Sequence, residues 1–316
     1  MPKHRCSLFL GLFILLTSTA NAQSPRSPQD FFNRGWEQFS RGDFERAVAN
    51  FTRVIEVDRP HRAGLRRGQN WNADTLPGND ASDSDHIILV GPLTAPAYTN
   101  RGLARFHMGD IEGALSDCDQ ALAINPRLVQ VYKNRGAIRW GKGDLDGAIA
   151  DFDQVIQKNP RDAQAYDNRG NIRADKGDLS GALSDLSQAI VLNPRQAEFY
   201  SDRGIARLWS GDTKGAFIDF EQAIQINSQL SWAYYCRARG WYNQNDFNRT
   251  VADLTRAIEL DPQFARAFGD RGLTRLRLGQ TAEAEKDFAE CLRLDPTLKA
   301  KLERSIRATN AARPQP

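Results

Sequence analysis

The sequence predicts an all-α solenoid of antiparallel helix pairs, on three observations. A small residue recurs every 34 positions, at Gly102, Gly136, Gly170, Gly204, Ala238 and Gly272. A second series keeps the same spacing through Pro126, Pro160, Pro194, Ser228, Pro262 and Pro296, changing type only at Ser228. Each period also holds two apolar patterns of helical step with a turn between them. Such a beat marks an array of stacked units, with no single central core, and moves the functional question from a catalytic pocket to an extended surface.

The unit 129–162 shows how each period makes two helices. Tyr132, Gly136 and Trp140 lie at helical spacing in its first half. Gly143 and Asp144 break that helix, glycine supplying the turn and aspartate the cap of the next helix. Ala148, Phe152, Val155 and Ile156 line one face of the second half, and Asn159-Pro160 stops it. Neither helix carries enough apolar surface to stand alone, so the pairs must stack.

Gly102, Gly136, Gly170, Gly204 and Gly272 are expected to face Ala114, Ala148, Ala182, Ala216 and Ala284 of the partner helix. A mid-helix glycine costs about 0.5–1 kcal/mol in propensity, and close helix approach is the compensating reason. Arg101, Arg135, Arg169, Arg203, Arg237 and Arg271 precede the small positions, while Asp117, Asp151, Asp185, Asp219, Asp253 and Asp287 recur in the second helices. Equal periods predict a ladder of structural ion pairs, since catalysis has no use for six copies.

The six in-register repeats run over 95–298. A first repeat at 28–60 follows the template through Phe31, Gly35, Gly42-Asp43-Phe44, Ala47 and Phe51. Between them, 61–94 reads as a degenerate repeat with an Asn/Asp/Gly/Pro-rich insertion. Its Asp80, Asp83 and Asp85 lack the spacing of a calcium loop, so no metal is expected. Leu298, Leu302 and Ile306 predict a capping helix over 299–310, followed by a disordered tail at 311–316.

At the other end, Lys3, His4 and Arg5 precede the apolar run Leu8–Leu16 and the small-residue site Ala20-Asn21-Ala22. This is the layout of a secretory signal peptide over 1–22, with 23–27 a short linker. The expectation is an exported protein, periplasmic or extracellular, without a transmembrane segment in the mature chain. Removing Lys3 and Arg5 takes the formal charge from +3 to +1, which leaves no electrostatic footprint for nucleic acid. Cys118, Cys236 and Cys291 are an odd number with no close pairing; Cys118 and Cys291 fall at apolar positions of the register and read as small buried hydrophobes, not a disulfide framework. His61, His86 and His107 are scattered, and no metalloprotease motif, nucleophile elbow or phosphate loop occurs. No enzyme and no cofactor is therefore expected.

Tyr132, Gly136, Ala148, Phe152 and Pro160, with Gly143-Asp144 at the turn, resemble the tetratricopeptide repeat family. The pattern recurs in all six units from 95 to 298 and once more at the N-terminus. Arginine before each glycine, where leucine is usual, resembles a subtype common in bacterial arrays. The resemblance implies a right-handed superhelix whose first helices line a concave groove, and a scaffold or adaptor that binds a peptide or partner protein there. Lys133, Asn134 and Asn168 partly match the family's carboxylate clamp, while Ala137 and Gln164 depart from it.

On that register the unit 231–264 stands out, with Trp232, Tyr234, Tyr235, Trp241 and Tyr242 within eleven residues. Tyr234 fills an ordinary core position and Trp241 replaces a recurring arginine. Trp232, Tyr235, Arg239 and Tyr242 are the candidate groove residues, joined by Lys133, Trp140 and Trp209 from neighbouring units. Aromatic and arginine side chains are favoured as binding hot spots. Local repacking or a weak self-association is the competing account of the same aromatics. For the chain as a whole the alternatives are an envelope enzyme or glycan-binding accessory using an acidic surface site, and a spacer without a discrete ligand.

Overall fold

The computed structural model describes residues 27–58 and 91–311. Among these the chain is an all-α solenoid of paired antiparallel helices without a β-strand. It divides into two compact units, 1–158 and 159–316. The expected signal peptide, the expected repeat and insertion over 61–94 except its last residues, and the tail beyond 311 lie outside the described residues.

The first unit contains α1 (Pro28–Ser40), α2 (Phe44–Val57), α3 (Thr94–His107), α4 (Ile111–Ile124), α5 (Val129–Lys142) and α6 (Leu145–Lys158). Phe32 of α1 packs edge-on to Phe51 of α2, and their cluster takes in Ala97 and Ala104 of α3. The pair α1–α2 thus packs directly on the pair that follows it. Asp58 fastens that junction: its carboxylate accepts from the Leu93 amide at 2.7 Å and the Thr94 hydroxyl at 3.1 Å. Its carbonyl accepts from the Gly91 amide at 2.8 Å.

The second unit contains α7 (Ala163–Lys176), α8 (Leu179–Leu192), α9 (Ala197–Trp209), α10 (Thr213–Ile226), α11 (Ser231–Asn243), α12 (Phe247–Leu260), α13 (Ala265–Arg277) and α14 (Thr281–Leu294). A 3-10 turn at Pro296–Leu298 leads into α15 (Lys299–Ala311). Helix α15 buries Leu302, whose Cδ1 lies 3.9 Å from where a Cβ on Gly269 would sit, so it seats against α13.

Turn chemistry repeats with the period. Asp110, Asp178 and Asp212 each accept the amide three residues on, capping α4, α8 and α10. The Gly147 amide donates to Asp144 in the same way. Gly143 reaches φ +90 at the preceding turn, a left-handed geometry that suits glycine. The equivalent residue between α11 and α12 is Asn245 at φ 60, the sole non-glycine with positive φ among the described residues.

The small-residue series works as a contact between the helices of a pair. A Cβ on Gly136 would lie 3.0 Å from the Phe152 ring, and one on Gly170 would lie 2.8 Å from Leu186 Cγ. Gly204 and Gly272 meet Phe220 and Phe288 similarly, whereas Gly102 faces the Ala114 carbonyl at 3.2 Å. Ala114, Ala148, Ala182, Ala216 and Ala284 are fully buried beside them. The glycine therefore leaves room chiefly for the large residue one turn after the alanine.

The charged series forms a cluster around the aspartate in each of the six repeats from α3 to α14. Arg101 grips Asp117 with Nε and Nη2 at 2.9 and 2.7 Å, and Arg105 adds Nη1 at 2.9 Å. The pattern recurs at Arg169, Arg173 and Asp185, and at Arg271, Arg275 and Asp287. In the variant repeat Trp241 takes the second arginine's place, its Nε1–H donating to Asp253 at 3.1 Å. The first arginine also reaches back to the preceding repeat, as Arg135 does to Asp119 at 2.6 Å and Arg271 to Thr255 at 3.1 Å. Bidentate geometry around an aspartate exposed by only a few per cent makes each cluster a fixed strut, not a screened surface pair.

Cys118, Cys236 and Cys291 are buried as thiols. Burial pushes the Cys118 thiol up to about 12 and the Cys291 thiol up to about 11, which removes both from thiolate chemistry.

A candidate ligand cavity on the first helices of the C-terminal unit

A cavity of about 400 Å³ opens among α11, α13 and the capping helix α15, with Thr250 and Leu254 of α12 in its wall. Small residues create it. Ala238 and Thr250 stand on α11 and α12, Thr274 on α13, and Ala308 on α15, where larger side chains would fill the space. The Thr250 and Thr274 hydroxyls donate at 2.7 Å to the carbonyls of Asp246 and Asp270, four residues back. Both hydroxyls are thus bound to their own helices.

The polar wall is asymmetric. Tyr235 donates its hydroxyl to Asp270 Oδ2 at 2.7 Å. Burial pushes the Asp270 carboxyl above the usual carboxylate range, against the lowering by this hydrogen bond and by Arg239, Lys301 and Arg266. Burial, and then the Asp270 charge, pushes the Tyr235 phenol well above its ordinary value, so it stays a donor. Arg239 and Arg277 line the cavity as well. Neither makes a hydrogen bond or ion pair with a described residue, and Arg277 Nε is buried without a partner.

The structure places the expected groove residues in different roles. Arg239 and Tyr242 line the cavity, Tyr242 with its ring 5.5 Å from Phe247. Tyr235, expected on an open face, is instead only 7% exposed. Asp270, one repeat onward, draws its hydroxyl into the seam, and Trp232 and Phe264 enclose its ring at 5.2 and 4.8 Å. Trp232 is half-buried and donates Nε1–H to Asp202 at 3.1 Å, which ties α11 to α9. Trp209 packs with Ile205 and Phe220. Lys133 and Trp140 lie on α5 of the first unit, partly buried.

Asp270, Arg277 and the α15 wall were missed from sequence. The signal that could have found the arginine is its departure from the ladder: Arg277 sits six residues after Arg271, with no aspartate in register for it. Asp270 is the cavity's one carboxylate, and its lining holds neither imidazole nor thiol, so no general acid–base pair is present there. Among the described residues no three His, Cys, Asp or Glu side chains gather as a metal site, and no helix is long and apolar enough to cross a membrane. The arrangement is suited to recognition.

Family models described as tetratricopeptide repeat match residues 95–128, 134–186 and 237–298, and a further TPR repeat model matches 170–208. With the helix pairs and their register, these matches show that the chain belongs to the tetratricopeptide repeat family. The structure is similar to that of a tetratricopeptide repeat protein from Parabacteroides merdae, at 16% identity and a TM-score of 0.71, over 89% of this chain and 98% of that one. Pseudomonas aeruginosa pilF matches at 17% identity and a TM-score of 0.53, over 69% of this chain and 97% of its own. A thermophilic TPR protein of Thermus thermophilus matches at 19% and 0.51, over 58% and 99%. At these identities the likeness is one of fold. No curated protein matches the sequence.

Proposed function

We propose that this protein is an exported, non-catalytic scaffold that holds a segment of a partner protein on the first-helix face of its C-terminal unit. The observation that carries the reading is the cavity between α11, α13 and α15. Its Arg239 and Tyr242 side chains are not needed by the repeat ladder, and its volume is that of a small-ligand or side-chain pocket. Elsewhere on α11 and α13, Arg237, Arg271 and Arg275 are committed to struts, and Trp232 and Tyr235 to seams. A partner side chain entering the cavity would meet Tyr242 and Leu273 as apolar walls and Arg239 as a directional donor. Export is supported by the leader pattern of residues 1–22.

The test is affinity capture by the mature protein, compared with an Arg239→Ala/Tyr242→Ala variant that melts at the wild-type temperature. The reading expects a partner or peptide held by the wild type and lost from the variant. Equal capture by both would sink it. Mass spectrometry of the protein from fractionated cells checks export, with Gln23 the expected first residue.

A further inference from the structure

We infer that the cavity takes a saccharide unit carried by the bound segment of the partner protein. The inference rests on the partner-binding reading above and names the chemistry that the segment presents. Polar groups converge on this space from several sides and stay open. Arg239, Asn243, Arg277, Ser305 and Thr309 line it, and none of their side chains makes a hydrogen bond or ion pair with a described residue. Asp270 joins them: Oδ2 accepts from Tyr235, while Oδ1 accepts from no described residue. The Thr250 and Thr274 hydroxyls of the same lining, by contrast, are each closed on a carbonyl of their own helix. Arg277 Nε is moreover buried with no acceptor, a state that costs free energy unless a ligand supplies one.

The open groups call for donors and acceptors together. A guanidinium only donates, a carboxylate only accepts, and an amide or hydroxyl does either. An anion would suit the arginines but meet Asp270 as a like charge, and a cation would reverse that mismatch. An apolar side chain would leave all of these groups unanswered. A hydroxyl donates once and accepts twice, so it suits both kinds of group. Two hydroxyls on adjacent carbons also offer a pair of oxygens to the paired N–H groups of an arginine, or a pair of donors to a carboxylate. No standard side chain carries more than one hydroxyl, whereas a saccharide carries several. The rest of the lining fits the other face of a sugar ring. Tyr242, Leu254 and Leu273 are apolar, and ring C–H bonds polarised by neighbouring oxygens lie favourably on the negative face of an aromatic. A volume of about 400 Å³ is also that of a pocket enclosing a whole small ligand.

The experiment is a peptide array probed with the full-length mature protein. Each peptide is printed bare, and again with a neutral hexose, an N-acetylhexosamine or a hexuronic acid on a single Ser or Asn. The same saccharides are printed on a flexible linker without peptide. The protein is used as wild type, as Arg239→Gln/Arg277→Gln, and as Lys214→Gln/Lys286→Gln, which makes the same change in net charge at exposed sites on α10 and α14. Because Arg239 and Arg277 support no contact in the ladder, the first variant is expected to keep the wild-type helical signal and melting temperature.

The expected result is that a neutral saccharide strengthens binding of a peptide by about tenfold or more over its bare form. The arginine variant should lose about tenfold to a hundredfold, the worth of a charge-assisted hydrogen-bond pair, while the lysine variant is unchanged. Equal binding of linker-borne saccharides, lost in the arginine variant, keeps the saccharide receptor and assigns its source to a free glycan. Equal binding of bare and sugar-bearing peptides overturns the inference and leaves peptide binding standing. Binding confined to the hexuronic acid overturns it too, since the cavity would then answer to charge alone. Saccharide binding that survives the arginine substitutions overturns the assignment to this cavity. Binding of nothing on the array removes the inference and the reading beneath it.

Discussion

Helix α5 carries two glycines five residues apart, and the structure gives them opposite surroundings. A Cβ at Gly136 would meet Phe152 Cε2 at 3.0 Å, Asp151 Cβ at 3.2 Å and Phe152 Cδ2 at 3.2 Å, and Phe152 is 1% exposed. A Cβ at Gly141 would meet nothing within 4 Å. Replacing each separately with leucine gives both variants the same helix-propensity gain, about 0.5–1 kcal/mol. That gain cancels in the comparison. What remains is the strain of forcing four carbons against Phe152, about 1–3 kcal/mol and toward the upper end because the ring is enclosed. Gly141→Leu should therefore be as stable as wild type or slightly more so, with Gly136→Leu less stable than it by that margin. Urea denaturation followed by helical circular dichroism measures both. Equal stability of the two variants would refute the claim that glycine is present to admit the partner helix.

Three further outcomes follow from single residues. Asp185→Ala removes the shared acceptor of Arg169 and Arg173 at a buried strut, so the loss should be about 3–5 kcal/mol by chemical denaturation, well beyond an exposed pair. Asn245→Gly relieves a left-handed residue where the other turns have glycine, and should stabilise by up to about 1 kcal/mol in the same assay. Asp270→Asn should raise the melting temperature at neutral pH. The folded carboxyl titrates above its unfolded value, so its ionisation penalises the fold above the folded pKa, and the penalty fades as pH falls toward the unfolded pKa. The advantage of the Asp270→Asn variant should accordingly shrink in melts at acidic pH; a constant advantage would contradict the assignment.

Much of this fold was legible because packing devices repeat. The glycine series, the Asp caps and the Arg–Asp pairing all return at one spacing, so each copy supports the next reading. The sequence also hinted that Trp241 replaced an arginine, but not that its indole would donate to Asp253 in the arginine's stead. Features that occur once were less legible. Tyr235 lies at a register position that reads as outward, and its inward turn depends on a hydrogen bond to Asp270, 35 residues away. The cavity depends on Ala238, Thr250, Thr274 and Ala308 all being small at once, and on α15 closing one side. No period announces such a coincidence. The same holds for Arg277, whose significance lies in lacking the partner that the other arginines possess.

The most direct test is hydrogen exchange read by mass spectrometry on the mature protein, alone and saturated with a peptide selected from the array. The account predicts added protection at 238–243, 270–277 and 305–309, where α11, α13 and α15 wall the cavity, with the second helices α8 and α10 unchanged. Protection confined to those second helices, or to α1–α6, would contradict it.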